Sequence, residues 1–342
     1  MDRFLQQDDE LGSLINIQAS ALYSRMKGLE AESLGMPDHC LAYFRSSHSK
    51  RLFFSIETSA HLLYRALTLA GKKPSDIVIM DYGAGVGTLY MLAKLIGCHK
   101  VIYNDHLDDW RLSAQLIAEA AGITIDHYIV GDIGDCLTRL FELHLQCNII
   151  TSRNVIEHIY KLDVFYTAVY HRQPLAVIVS STTANKQNPA SVIKHIRWHT
   201  KWEKVYRGKR AVAIERQSHG LSPTKVRLLA KATRGLATDD LEKAIEEYRR
   251  SGRMPNPAGF GSNTCDPSTG VWAEHLISSN EYKKLVNEDH YTVTFAPGFW
   301  DTHYIKNYMN TAGRLLNRLI AGGGKKAMLV APFIYVIAVP LK

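Results

Sequence analysis

Cysteine is scarce in this sequence. Five occur in 342 residues, Cys40, Cys98, Cys136, Cys147 and Cys265; their number is odd, their spacing irregular, and no C-x-x-C pair is present. This argues against a disulfide-built secreted scaffold and reads as reduced thiols in a cytoplasmic protein, with Cys98 and Cys147 as core residues in apolar context. Long apolar runs are missing as well. The longest near the C-terminus, "AMLVAPFIYVIAV", has 13 residues and contains Pro332. It is too short to span a bilayer and reads as a buried strand, so no membrane association is expected. The opening "MDRFLQQDDELG" is polar and acidic, unlike a secretory signal. There is no internal repeat and no low-complexity tract. What is present is 46% apolar residues, enough for one large domain with insertions or for two domains.

Charge is unevenly placed. The chain carries a net +8, yet residues 186–262 alone hold 17 Lys/Arg against 7 Asp/Glu. One segment therefore carries the basicity. It reads either as a solvated helical surface or as a docking face for an acidic partner or a phosphate-bearing substrate.

Residues 1–75 read as a helical cap, in which "SIETSAHLLYRALTLAG" has helical apolar spacing and ends in Gly71, a C-cap. From residue 76 the rhythm becomes strand, loop, helix. Strands are expected at "IVIMD" (77–81), "KVIYND" (100–105), "DHYIVGD" (126–132), "CNIITSRN" (147–154) and "LAVIVSST" (175–182). Helices are expected at 88–97, 110–122 and 164–172. Such alternation implies a parallel sheet with right-handed crossovers and helices on both faces, with ligands bound beyond the carboxyl ends of the strands. Asp81, Asp105, Asp132 and Asn154 fall at those ends. Residues 185–262 break the rhythm with two helical stretches, at 189–208 and 238–252, followed by a Pro/Gly-rich loop at 254–270. Residues 263–342 return to helix at 278–288, strand at 291–300, helix at 308–324 and strand at 333–342.

The stretch "DYGAGVG" (81–87) decides the class of ligand. No Lys follows Gly87, so it is not a P-loop, and its glycines are spaced G-x-G-x-G rather than the dinucleotide G-x-G-x-x-G. With the acid two residues before the first glycine, it resembles the first motif of the class I S-adenosylmethionine (SAM)-dependent methyltransferases. Asp105 at the end of the second strand, "GDIGD" with Asp132, and "SRNVIEHI" resemble three further motifs in order, and the resemblance spans about residues 76–184. It implies a doubly wound, mostly parallel seven-stranded α/β sheet, with the N-terminal helices and the 185–262 insertion added to it and 263–342 completing it. It implies SAM as cofactor, held by Asp81, Gly83, Ala84, Gly85 and Gly87, by Asp105 at the ribose hydroxyls, by Asp132 at the adenine amino group, and by His106, Ile133, Arg153 and Asn154. The physical chemistry agrees. Glycines let the backbone approach closely, SAM has no pyrophosphate to cradle, and its cationic centres favour an acid at the strand end. Singly, each Asp could equally be a loop-start or helix-cap residue.

Methyl transfer from a sulfonium needs an aligned acceptor and, for a hydroxyl or ammonium, a base. Four residues are candidates: Glu157 and His158 after the fourth motif, and His195 and His199, which share one helical face with Glu203. An E-x-x-E-H motif resembling this one binds a divalent metal in the small-RNA 2′-O-methyltransferases. Here Asn154 replaces its first acid, so no metal is expected. Alternatively, Glu157 and His158 orient their loop, and the His195/His199 stripe is an exposed polar face opposite Ile196 and Trp198. Trp198 and Trp202 could stack on a planar acceptor or pack in the core. Lys201, Lys204, Arg207, Lys209 and Arg210 could grip a phosphate, and Trp300, His303 and Tyr304 could line an acceptor pocket. The reading is a methyltransferase for an oxygen or nitrogen of a small or medium-sized acceptor, with the basic insertion as substrate lid. The alternatives are an RNA methyltransferase, against which stands the lack of a recognisable RNA-binding module, and a SAM-binding protein without catalysis.

Overall fold

The computed structural model describes residues 3–218, 220–256 and 260–341. Residues 1–2 of the N-terminal cap, 257–259 of the Pro/Gly-rich loop and Lys342 of the last strand's stretch lie outside the described residues. Seven strands form one sheet: β1 (Val78–Asp81), β2 (Lys100–Asp105), β3 (His127–Val130), β4 (Ile149–Arg153), β5 (Val177–Thr182), β6 (Tyr291–Pro297) and β7 (Ile334–Pro340), in the order β3-β2-β1-β4-β5-β7-β6. β1 to β5 are parallel, whereas β7 inserts antiparallel between β5 and β6. This is a mixed, doubly wound α/β sheet, mostly parallel, with one antiparallel strand inserted near its edge.

The strands are apolar on both faces because both are covered. Ile79, Val101, Ile149 and Val179 point to one core, and their neighbours Met80, Ile102, Ile150 and Ile178 to the other. The first face is covered by α1 (Glu10–Lys27), α3 (Leu52–Ala70), α4 (Leu89–Leu95) and α5 (Asp108–Ala120), the second by α6 (Ile133–Glu142), α7 (Leu162–Arg172) and α11 (Ser279–Val286). α3 ends at Gly71 in a left-handed C-cap, as its sequence announces. The insertion holds α8 (Pro189–Gln217), α9 (Pro223–Ala232) and α10 (Thr238–Ser251), which share a small core of Ile214, Val226, Leu229, Leu241 and Ile245. Between α1 and α3 lies a short α2 (Asp38–Tyr43), and α12 (Asn307–Gly322) precedes β7.

Several expectations change. Asp132 does not end a strand: β3 stops at Val130, and Asp132 caps α6, a helix the sequence reading passed over. Its Oδ1 accepts from the N–H groups of Gly134 and Asp135 (2.7 and 3.2 Å), the helix-cap alternative made real. α8 runs through Gly208 to Gln217, since one glycine in a helix interior costs only about 1 kcal/mol. α9 was not foreseen. The C-terminal apolar run is only partly strand, its first residues forming a short 3₁₀ turn at Gly324–Leu329.

Candidate active site

Strand order reverses between β1 and β4, so a crevice opens beyond their carboxyl ends. The loop leaving β1 enters it through Gly83 and Gly85, both at positive φ (66° and 52°). Gly83 must lack a side chain, because a Cβ there would come within 2.8 Å of both Val155 methyls. Gly85 differs: nothing lies within 4 Å of its missing Cβ, so bare backbone faces open space. Asp105 holds the loop in this shape, its Oδ2 accepting from Gly85 N–H at 2.9 Å. Its Oδ1 faces His106 Nδ1 at 3.0 Å and accepts from Leu107 N–H at 3.3 Å. Three of roughly four acceptor positions of the carboxylate are thus used. His106 is the removable partner, since its side chain is 64% exposed. The bond to Asp105 raises the His106 pKa above its usual value.

Asp81 is buried at the floor of this cleft. Its Oδ2 accepts from Tyr90 N–H in the first turn of α4 at 3.1 Å. Burial pushes its pKa up to about 7, against the opposing pull of the Arg153 cation and the Tyr90 N–H. Arg153, at the end of β4, donates through one guanidinium nitrogen to Ser55 O (2.7 Å) and Thr58 Oγ1 (2.9 Å) of α3. Asn154 follows in the left-handed region at φ 57° and lines the same cleft. Ala84 and Gly87 line it too, whereas Asp132 and Ile133, at the start of α6, are not among the residues that line it. Asp132 keeps Oδ2 clear of its cap hydrogen bonds.

The cleft continues into a trough. Tyr43, His48, Arg153 and Asn154 border both. The trough passes Arg51, Phe54, Thr183 and Phe333 and ends between Trp300, Tyr304 and the first turns of α8 at Asn188, Ser191 and Lys194. His48 sits at the junction because residues Phe44–His48 form one wide π-helical turn between α2 and α3. It is 6% exposed, and its Nδ1 lies 3.4 Å from Ser55 Oγ. Burial and the nearby Arg153 cation lower its pKa to about 3, so it is neutral at neutral pH. Sequence reasoning missed His48, Tyr43, Arg51 and Phe54. Their only signal was a chemistry-bearing "FRSSHSKRLFF" inside the helical cap, and no spacing rule links it to the glycine loop.

None of the four catalytic candidates is among the residues that line the cleft or the trough. His195 and His199 are buried on the inner face of α8. His195 Nδ1 donates to Ser191 O (2.6 Å) and Nε2 to Glu274 Oε2 (2.6 Å), so both ring nitrogens are engaged by the protein. His199 Nε2 donates to Glu274 O (2.9 Å), and its Nδ1 accepts from Ser262 Oγ (3.0 Å). His158 Nδ1 donates to Trp272 O at 2.8 Å. Glu157 is fully buried with no well-formed partner for its carboxylate, and burial raises its pKa. Together with backbone bonds from Trp272 and His275 to His158 O and Glu157 O, these residues clamp the 262–276 segment between the loop after β4 and α8.

The polar stripe of α8 is therefore its inner face, and the outer face carries Ile193, Ile196, Trp198, Val205 and Val212 among its cations. Arg210 is not a phosphate grip either: it is fully buried and donates to Glu203 Oε1 at 2.6 Å and Ala230 O at 3.0 Å. Lys209 pairs with Asp266. Trp202 stacks on Tyr206, whereas Trp198 is 40% exposed. Trp300 and Tyr304 do line the trough, while His303 packs against Phe53 with ring centroids 3.7 Å apart. All five cysteines are buried and free. Among the described residues, no group of three or more His, Cys, Asp or Glu side chains is arranged to hold a metal, and no helix is long and apolar enough to cross a membrane.

No protein-family model matches the chain, and no curated protein does. Solved structures do. An S-adenosylmethionine-dependent methyltransferase from Mesorhizobium loti is 13% identical over 82% of this chain and 98% of its own, with a TM-score of 0.40. TrmN from Thermus thermophilus is 19% identical over 36% of this chain and 38% of its own, at a TM-score of 0.29. MtNAS in complex with MTA and tNA is 11% identical over 49% of this chain and 57% of its own, at 0.32. These likenesses are too distant to carry an activity across; the order and directions of the seven strands define the fold class.

Proposed function

We propose that the chain is a SAM-dependent methyltransferase that methylates an oxygen or nitrogen of a small or medium-sized acceptor lying in the trough. The observation that carries this reading is the glycine cleft at the β1/β4 reversal. An open backbone approach at Gly85 stands there beside Asp105, with Asp81 and Arg153 at the floor. The site fits such a cofactor. Asp81 and Arg153 offer opposite charges to the ammonium and carboxylate of its amino-acid end. Asp105 offers a carboxylate to its ribose once His106 yields, and we assign the adenine amino group to Asp132, whose Oδ2 takes no part in the cap bonds. When bound, SAM supplies a methyl group on a sulfonium that is already an activated leaving group. The protein's share is alignment and exclusion of water.

Neutral His48, at the junction of cleft and trough, can accept a hydrogen bond from an acceptor hydroxyl or amine and so orient its lone pair. Aromatic walls at Tyr43, Phe54 and Phe333 suit an apolar or planar body, and Lys194 at the far end suits an anionic group such as phosphate. Among the described residues of the insertion, the first turns of α8 line the trough, and we assign the lid role to them.

Calorimetric titration with SAM, with its demethylated product and with NAD tests the cofactor. Micromolar binding of the first two is expected, with a loss of at least about tenfold in Asp105→Ala and Asp105→Asn. Two variants are needed because Asp105 also shapes the loop. Binding of neither ligand, or equal binding of NAD, sinks the reading. A second reading, an RNA acceptor, draws on Trp198 and Lys201 lying together on the exposed face of α8, with the ammonium 5.5 Å from the ring. It requires RNA affinity that falls steeply with salt.

A further inference from the structure

A second cavity lies on the β6–β7 side of the sheet and shares no lining residue with the cleft or the trough. It has room for about 740 Å³. α3 builds both sites: one face gives Ser55, Thr58 and Ser59 to Arg153, and another presents Glu57, His61 and Arg65 to the second cavity. Gln7 Oε1, Glu57 Oε2, Arg65 Nε and the Tyr335 hydroxyl, in residues that line this cavity, make no well-formed hydrogen bond, but all four atoms are covered by protein rather than facing it, and Glu57 Oε2 lies 3.9 Å from His303 Nδ1. What a ligand would meet here is set instead by the parts of these side chains that face the cavity.

The occupant's chemistry can be read from the walls. Arg65 lies 4.7 Å from the centroid of the Tyr335 ring, which is 1% exposed, and has no ion-pair partner among the described residues. Glu57, beside Asp301 and buried, has its pKa pushed up to about 8, and His61, buried near Arg65, has its pKa lowered to about 4. Burial thus favours the uncharged form of both, and neither forms an ion pair with Arg65. Between the polar groups lie Phe295, Phe299, Ile320 and Met328. Such a wall would leave water poorly bonded, and the cavity is far larger than a single water needs. Glu57 and Arg65 are eight positions apart on one helix, or roughly 12 Å along its axis. We infer that this cavity is a binding site for a small organic carboxylate with an apolar body, its anion on Arg65 and a hydroxyl or amine at its far end toward Glu57. The inference is independent of the activity proposed for the glycine cleft.

The probe is 3-(4-hydroxyphenyl)propionate, titrated by calorimetry into the full chain beside its primary amide. The acid should bind with a Kd of about 1 mM or tighter. The amide, and the acid on Arg65→Met, should each bind at least about tenfold more weakly, because a charge-assisted contact is lost. Asp105→Ala should bind the acid as the wild type does. Should Arg65→Met fail to fold, chemical-shift mapping on the wild type replaces it, with perturbation at Tyr335 and Phe299 expected. No binding of the acid up to about 10 mM, an amide that binds equally well, an unaffected Arg65→Met, or shifts confined to Gly85 and Arg153 would each overturn the assignment.

Discussion

Gly83 and Gly85 sit two residues apart in the same loop, and alanine at each should fail for a different reason. Both are in the left-handed region, where a Cβ costs about 1–2 kcal/mol. At Gly83 the added Cβ would lie 2.7 and 2.8 Å from the two Val155 methyls. Val155 is β-branched and stiff at χ1, so relief requires backbone movement worth a further 1–3 kcal/mol or so. Gly83→Ala should therefore lose about 2–5 kcal/mol of stability. Gly85→Ala meets no protein atom within 4 Å and should lose only the backbone part, about 1–2 kcal/mol. Its methyl instead stands where the ligand's close approach is proposed. Urea unfolding midpoints and SAM titrations on both variants separate the two effects. The expected pattern is a large midpoint shift for Gly83→Ala, and for Gly85→Ala a small one with binding weakened by tenfold or more. A Gly85→Ala protein that binds SAM as tightly as the wild type would refute the cradle. Equal destabilisation by both variants would refute the steric account of Gly83.

Three further outcomes follow from the charges. Asp81, with its pKa raised to about 7 by burial, should favour a cationic ligand only when ionised, so SAM affinity should climb from pH 6 to 8 in the wild type and stay flat in Asp81→Asn by calorimetry. Glu274 has its folded pKa held at about 2, despite burial, by its bond to His195, below the usual carboxylate value of 4.5. Its stabilisation is thus present above about pH 4.5 and lost as pH falls toward 2; acid-dependent urea unfolding should show about 2–3 kcal/mol lost in this window, and Glu274→Gln should remove that part of the slope. Glu203→Ala leaves the Arg210 guanidinium buried and unpaired, so it should cost about 3–5 kcal/mol, with limited proteolysis opening the α8–α10 insertion first.

Much of the core was legible because its signals are local. An apolar run ending in an acid, a glycine loop and a helix with Gly71 at its end each depend on a few neighbouring residues, and the five parallel strands fell where such runs stood. Asp132 shows the limit. A helix cap and a strand end look alike in sequence, and only the following turns of α6 decide between them. α8 shows it more sharply. Its His195, His199 and Arg210 look like a solvent face, and Ile193, Ile196 and Val205 like a core face, yet burial is reversed. Polar side chains can be interior when the partners that satisfy them arrive from distant chain, here Glu274, Ser262 and Ala230.

By itself the sequence determined the class of sheet and the glycine loop with Asp81 and Asp105 beside it, because strand periodicity and backbone conformation are set within a few residues. The antiparallel entry of β7 was decided only in three dimensions, as were the trough that joins Tyr43 and His48 to Phe333 and Lys194, and the clamp that ties His158, His195 and His199 to the 262–276 segment. These arrangements depend on which distant groups satisfy one another's hydrogen bonds and fill one another's space, and no local pattern encodes that pairing.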